Sequence, residues 1–251
     1  RKPLIRKYKN FEVITMPPPS SGGLHLIQML NILENFDLKS MKHNSPSYVL
    51  LLNEVMKYAY ADRSQYLGDP DYVDVPVNKL ISKGYAESIS KKITIDSVTQ
   101  SDDIKAGMYI DLESDETTHF SIADKFGNLV STTYTLNSSF GSKVVIAKTG
   151  ILMNNEMDDF SSAPGVPNQF GLLGGKFNEI QPSKRPLSSM TPTIVFKNNS
   201  PFLVMGTPGG SRIITAVLQN FLNIAEFEMN LADSINKPRV HQQWYPDLLF
   251  L

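Results

Sequence analysis

Hydrophobic and polar positions alternate along FEVITMP, residues 11–17, which predicts a short strand, and PPPSSGG then breaks it. In LHLIQMLNILENF the period lengthens: Leu26, Met29, Leu30 and Leu33 fall on one face at helical spacing. Ser45 followed by Pro46 reads as the N-cap and first-turn proline of a second helix reaching about Arg63, with Tyr48, Leu52, Val55 and Ala59 facing inward. Both helices read as scaffold. The polar stretch 95–116 has no sustained apolar period and is expected to be a flexible connection. After it, HFSIADKFGNLVSTTYTL predicts two strands around the turn DKFGN, and FLVMGTPGGSRIITAVLQNFL reads strand, glycine turn, helix.

Composition narrows the function little. The 251 residues, 41% hydrophobic, can build a substantial core, and 24 basic against 25 acidic side chains give a net charge of -1. That balance offers no electrostatic case for nucleic acid or an anionic membrane and suits small neutral or zwitterionic partners. Without cysteine, disulfides, thiolate metal sites and a cysteine nucleophile are excluded, while the redox compartment stays open. No apolar run is long enough to cross a bilayer, and RKPLIRKYKN lacks the apolar stretch of a signal peptide.

Several clusters can carry chemistry, each with a plain alternative. Thr117-Thr118 stands between DLESDE and the first strand of the hairpin; threonine pairs are common in strands and turns. If the chain were cut before Thr117, however, one residue would hold both a hydroxyl nucleophile and an α-amine base with a pKa near roughly 8. Thr135 and Asn137 lie two apart at the end of the second strand and so share a face. NNEMDDF concentrates Glu156, Asp158 and Asp159, which can hold an ammonium group or form a solvated turn. Ser188-Ser189 can meet an anion if the backbone turns there, and Gly209-Gly210 can aim amides at a developing charge. A P-loop lysine is missing, Asp69, Asp71 and Asp74 lack the glycine and terminal glutamate of an EF-hand, and His25, His43, His119 and His241 have no zinc spacing. His119 could serve as a base, although the α-amine is preferred, and Trp244 reads as a packing anchor.

The strings TYTLNSSFG, ILMNNEMDDFS, KRPLSSMTPTIV and MGTPGGSRIIT, with MPPPSSGGLHLIQMLNILENF and YADRSQYLGDPDYV upstream, closely resemble γ-glutamyltranspeptidase, one of the N-terminal nucleophile hydrolases. The resemblance runs from about Tyr8 to the end of the chain. It implies an α+β, four-layer αββα sandwich present as a partial chain, with residues 1–116 the C-terminal part of a large subunit and 117–251 the N-terminal part of a small catalytic one. It further implies autocleavage between Glu116 and Thr117, two subunits that stay associated, and transfer of the γ-glutamyl group of a substrate such as glutathione to water or to an amino-acid or peptide amine. No metal or organic cofactor is implied, and a periplasmic or secreted bacterial location is.

Carried over residue by residue, the resemblance makes Thr117 the nucleophile, Thr135 the group that orients its hydroxyl, and Gly209 and Gly210 the oxyanion donors. Asn137, Glu156 and Asp159 would meet the amino-acid end of the substrate, the last two at its ammonium, and Ser188 and Ser189 its α-carboxylate. The family's arginine for that carboxylate comes from an earlier part of the large subunit, and neither Arg185 nor Arg212 matches it. SSAPGVPNQFGLLGGKFNEI resembles the loop that lids the pocket, with Phe170 where a tyrosine is expected; phenylalanine covers the pocket but cannot donate to Asn137. A poly-γ-glutamate depolymerase, a cephalosporin acylase of the same chemistry, or an uncleaved amino-acid-binding form are the alternatives.

Overall fold

The computed structural model describes residues 1–104, 117–163 and 165–251. The expected cleavage site is thus half visible: Thr117 lies within the described residues, and Glu116, with the second half of the expected connection, lies outside them. Strands β1 (Leu4–Tyr8) and β2 (Phe11–Thr15) form an antiparallel pair ahead of helix α1 (Gly22–Leu33). Helix α2 (Pro46–Tyr66) follows, then the short helices α3 (Val77–Leu80) and α4 (Lys83–Ser90). Beyond residue 116 come the hairpin β3 (Thr118–Ala123) and β4 (Leu129–Tyr134), strands β5 (Thr193–Lys197) and β6 (Ser200–Met205), and helices α5 (Ile213–Ala225) and α6 (Leu231–Asn236).

One antiparallel sheet of order β1-β2-β5-β6 joins strands from both sides of residue 117, with Phe11 opposite Lys197 and Thr15 opposite Thr193. β2 alternates in burial, with Phe11, Val13 and the polar Thr15 buried and Glu12 and Ile14 half-buried. The hairpin is a second, two-stranded sheet that packs on β5 and β6, where Ser131 Oγ donates to Met205 O at 2.9 Å and accepts from Thr193 N at 3.1 Å. Of the four layers expected, the described residues therefore supply a helical layer and two sheets.

Helix α1 is buried on every side, not only along its predicted stripe, because β1 and β2, α2, α4 and α5 all pack on it. The Ser45 cap is present, its Oγ accepting from Tyr48 N at 3.3 Å, and Tyr48, Leu52, Val55 and Ala59 are buried as expected. Asp69 and Asp71 are taken up by Arg185 and Arg1 rather than arranged around a cation.

Within the connection expected to be flexible, Thr99, Ser101 and Ile104 are tied to the rest of the fold. Glu54 Oε1 accepts from Thr99 N at 3.1 Å, and buried Lys57 donates to Thr99 O at 2.7 Å. Ser101 Oγ donates to Trp244 O at 2.6 Å, while Trp244 Nε1 donates to Ser101 O and Ile104 O at 3.0 and 3.1 Å. The partners are remote in sequence, so a local reading of polarity sees none of them. Trp244 is an anchor, 1% exposed, as its size suggests.

Candidate active site

The hairpin register builds the first part of the site. Thr118 pairs with Tyr134, so one step further out Thr117 faces Thr135, and their hydroxyl oxygens lie 3.5 Å apart. That is long for a hydroxyl pair, a contact that needs a small rotation to become a good hydrogen bond. Thr135 Oγ1 also accepts from Asn137 N at 2.9 Å. Here strand reasoning needs correction: β4 ends at Tyr134 and Asn137 has a φ of 76°, so the two do not share a face by alternation. Asparagine tolerates this left-handed backbone, and the resulting turn puts both residues on the same pocket.

The carboxylate cluster reaches that pocket through backbone stitching. Asn155 N donates to Leu136 O at 3.1 Å and Ser138 N to Asn155 Oδ1 at 3.0 Å, which sets the single turn Glu156–Asp159 beside the end of the hairpin. Buried Asn178 then ties the cluster to the serines, donating to Asp159 O at 2.7 Å and accepting from Leu187 N at 3.1 Å. Asp159 lines the pocket; Glu156 does not, but its carboxylate acts on Asp159. Burial first, and then Glu156, push the Asp159 carboxyl up to about 7, against the opposing pull of Arg63 and the hydrogen bond from Asn137.

Ser188 and Ser189 are held from the other side by the PPPSSGG segment, a stretch that reads as a mere breaker. Ser188 N donates to Pro19 O at 3.1 Å, and both the amide and the hydroxyl of Ser21 donate to Ser188 O at 2.8 Å. Ser20 Oγ donates to Met190 O at 2.6 Å. The contact is so close that a Cβ on Gly22 would sit 2.1 Å from Thr191 Oγ1 and 2.6 Å from Met190 O.

The glycine turn opens α5. Gly209 and Gly210 have φ of 130° and 49°, values at which any side chain is strained. Gly210 lines the pocket with Thr117, whereas Gly209 borders a separate cavity of about 450 Å³ that also touches Arg212, Arg239 and His241. Tyr60 OH donates to Ser211 O at 2.5 Å, bracing the turn from α2.

The sequence reading missed that role for α2. Arg63, three residues from Tyr60 and 5% exposed, donates from Nε to Ser21 Oγ at 3.0 Å and from Nη2 to Ser189 Oγ at 3.2 Å. A signal was present: the inward stripe Leu52, Val55, Ala59 continues, four residues on, to Arg63. A charge on a buried stripe needs a reason. His119, by contrast, is engaged by Thr133 Oγ1 at 2.8 Å and Ser121 Oγ at 3.1 Å. Phe170 is buried against the pocket, its carbonyl accepting from Gln243 Nε2 at 3.1 Å.

One small pocket therefore gathers Thr117, Thr135, Asn137, Asp159, Phe170, Ser188, Ser189 and Gly210, drawn from five segments of the chain. The model of the gamma-glutamyltranspeptidase family matches residues 1–251. The chain belongs to this family. It is 53% identical over 249 residues to the glutathione hydrolase proenzyme of Escherichia coli K12, a match that takes in 99% of this chain and 43% of that protein. The chain thus spans less than half the length of such relatives.

Among solved structures, an acivicin-inhibited gamma-glutamyltranspeptidase superposes with a TM-score of 0.52 at 58% identity, covering 53% of this chain and 70% of the other. A cephalosporin acylase from Bacillus halodurans gives 0.76 at 26% identity, over 95% of this chain and 40% of the other. The described residues are thus a portion of the α+β N-terminal nucleophile hydrolase fold seen in gamma-glutamyltranspeptidases.

Proposed function

We propose that the full-length protein is a γ-glutamyltransferase and glutathione hydrolase, matured by cleavage between Glu116 and Thr117. What carries the reading is the convergence of Thr117 and Thr135 with an acidic residue and a serine pair around a single pocket. Cleavage frees the Thr117 amine, which takes the proton of Thr117 Oγ1 as that oxygen attacks the γ-carbonyl carbon of the substrate. Charge develops on the carbonyl oxygen, where the amides of Gly209 and Gly210 donate to it. Thr135 orients the hydroxyl, as the 3.5 Å contact supports.

When the tetrahedral adduct collapses, the C–N bond breaks, the proton returns to the leaving amine, and a γ-glutamyl ester of Thr117 remains. Water then yields glutamate, and an amino-acid or peptide amine yields a transfer product. Asp159, with Glu156 behind it, would meet the substrate ammonium beside Asn137, and Ser188 and Ser189 its α-carboxylate. This pairing of an acidic end with an anion-binding end favours a zwitterionic amino-acid group over the glutaryl side chain of a β-lactam, which carries no ammonium.

The pocket as it stands has room for roughly one water, about 20 Å³, which favours a wall that moves when a γ-glutamyl group enters. The glycine- and proline-rich segment bearing Phe170 and Leu172 is the wall we assign as lid. Because β1 and β2 pair in one sheet with β5 and β6, cleavage would leave the two subunits held together. Among the described residues no helix is long and apolar enough to cross a membrane, and a periplasmic or secreted location is part of the proposal.

Thr117→Ala in the full-length protein is expected to abolish both chain cutting and hydrolysis of a γ-glutamyl anilide. Mass spectrometry and release of the aniline read the two. Survival of either activity, or faster turnover of poly-γ-glutamate or a glutaryl β-lactam than of the anilide, would overturn the assignment.

A further inference from the structure

Arg63 is a buried cation with an unusual choice of partners. Its guanidinium meets two hydroxyls, Ser21 Oγ at 3.0 Å and Ser189 Oγ at 3.2 Å, and among the described residues it forms no ion pair with a carboxylate. Its electrostatic attraction to Asp159 is through space. Burying a positive charge on neutral acceptors is unfavourable unless something else compensates it.

The geometry behind the serines is directional. Ser21 accepts from Arg63 Nε and donates to Ser188 O at 2.8 Å, using its one hydroxyl hydrogen on the loop that shapes the serine pair. Ser189 accepts from Arg63 Nη2, and this turns its own hydroxyl hydrogen away from the guanidinium. Ser189 also lines the pocket, which leaves that hydrogen able to reach an acceptor placed there. A lysine at this position could reach one serine as a point charge but could not span both with a planar fork.

We propose that Arg63 is a positioning residue for the α-carboxylate of the substrate: it aims the Ser189 hydroxyl into the pocket, locks Ser21 against the Ser188 carbonyl, and places behind both serines a positive charge that, among the described residues, is hydrogen-bonded to no carboxylate. The proposal rests on the γ-glutamyl reading of the pocket and assigns recognition at one end of it to the α2 helix.

Three small competitors separate the ends of the substrate. Glutamate has both the ammonium and the α-carboxylate, glutarate lacks the ammonium, and 4-aminobutanoate lacks the α-carboxylate. Each is titrated as an inhibitor of γ-glutamyl anilide hydrolysis by the matured full-length enzyme. Arg63→Lys, which keeps the charge and removes the fork, is expected to raise the inhibition constants of glutamate and glutarate about tenfold and to leave that of 4-aminobutanoate within about twofold. Ser21→Ala, a milder change that removes the Arg63 anchor, is expected to give the same selective pattern at smaller amplitude, and it decides the matter if the lysine variant does not mature. Equal weakening of all three competitors marks a merely structural arginine and overturns the proposal, as does no change in any. If glutamate fails to inhibit the unsubstituted enzyme, the γ-glutamyl reading itself falls.

Discussion

Gly22→Ala tests how tightly the serine turn is clamped. The added methyl would lie 2.1 Å from Thr191 Oγ1, 2.6 Å from Met190 O and 2.8 Å from Ser189 O, against an ordinary contact of about 3.5 Å. Two of these atoms are backbone carbonyls, and Thr191 is fully buried with its hydroxyl donating to Ser189 O at 2.9 Å, so no flexible side chain can simply swing aside. Overpacking of this kind costs about 1–3 kcal/mol, and with three overlaps at once the upper end applies. Replacing glycine inside a helix returns up to roughly 1 kcal/mol of propensity, less at this first position of α1, so a net loss of about 2 kcal/mol remains. Gly84→Ala, in α4 with nothing within 4 Å of its Cβ position, is the control and should be neutral or stabilising by up to about 1 kcal/mol. Thermal unfolding of the full-length protein reads both. The glycine-22 variant should also lose affinity for glutarate more than for 4-aminobutanoate, because Ser189 is displaced. A variant as stable as the parent, or the same loss from both alanines, would refute the clamp.

The Asp159 carboxyl, raised to about 7, must ionise to hold an ammonium, so inhibition by glutamate should tighten up to about tenfold per pH unit as pH rises towards 7 and then level off, whereas glutarate should show no such slope. Matching slopes would exclude Asp159. Because the folded value lies above the reference of 3.8, this group also stabilises the fold most below about pH 4 and loses that contribution as pH rises through about 7. Trp244→Phe removes the indole donor to the Ser101 and Ile104 carbonyls, leaving Ser101 O only the Ile104 amide; this should cost about 1–3 kcal/mol and speed limited proteolysis near residues 99–104, and an unchanged digestion pattern would count against the pinning. Ser45→Ala should lower stability by about 1 kcal/mol through loss of the α2 cap, measured by denaturant unfolding, with no effect on the relative affinities of the three competitors.

Wherever the determinant is local, the sequence was readable. The hairpin β3–β4 announces itself by alternation around DKFGN, and its register alone brings Thr117 opposite Thr135. The Ser45 cap and the strand, glycine turn and helix around Gly209 depend on neighbours within a few residues and appear where expected. Asn137 marks the limit of this approach, since strand alternation stops at Tyr134 and a left-handed turn, not a pleat, delivers the side chain.

What the sequence by itself determined, then, was the family, the kinds of chemical group present and the elements that carry them. Tertiary structure alone decided which segments support the site: that PPPSSGG is a clamp, that Asn178 links the acidic turn to the serines, that Trp244 pins residues 101–104, and that Arg63 serves Ser189. The physical reason is distance along the chain. Arg63 and Ser189 are 126 residues apart, and a hydrogen bond between them leaves no periodicity in either neighbourhood; only the packing of α2 behind the serine turn makes them partners.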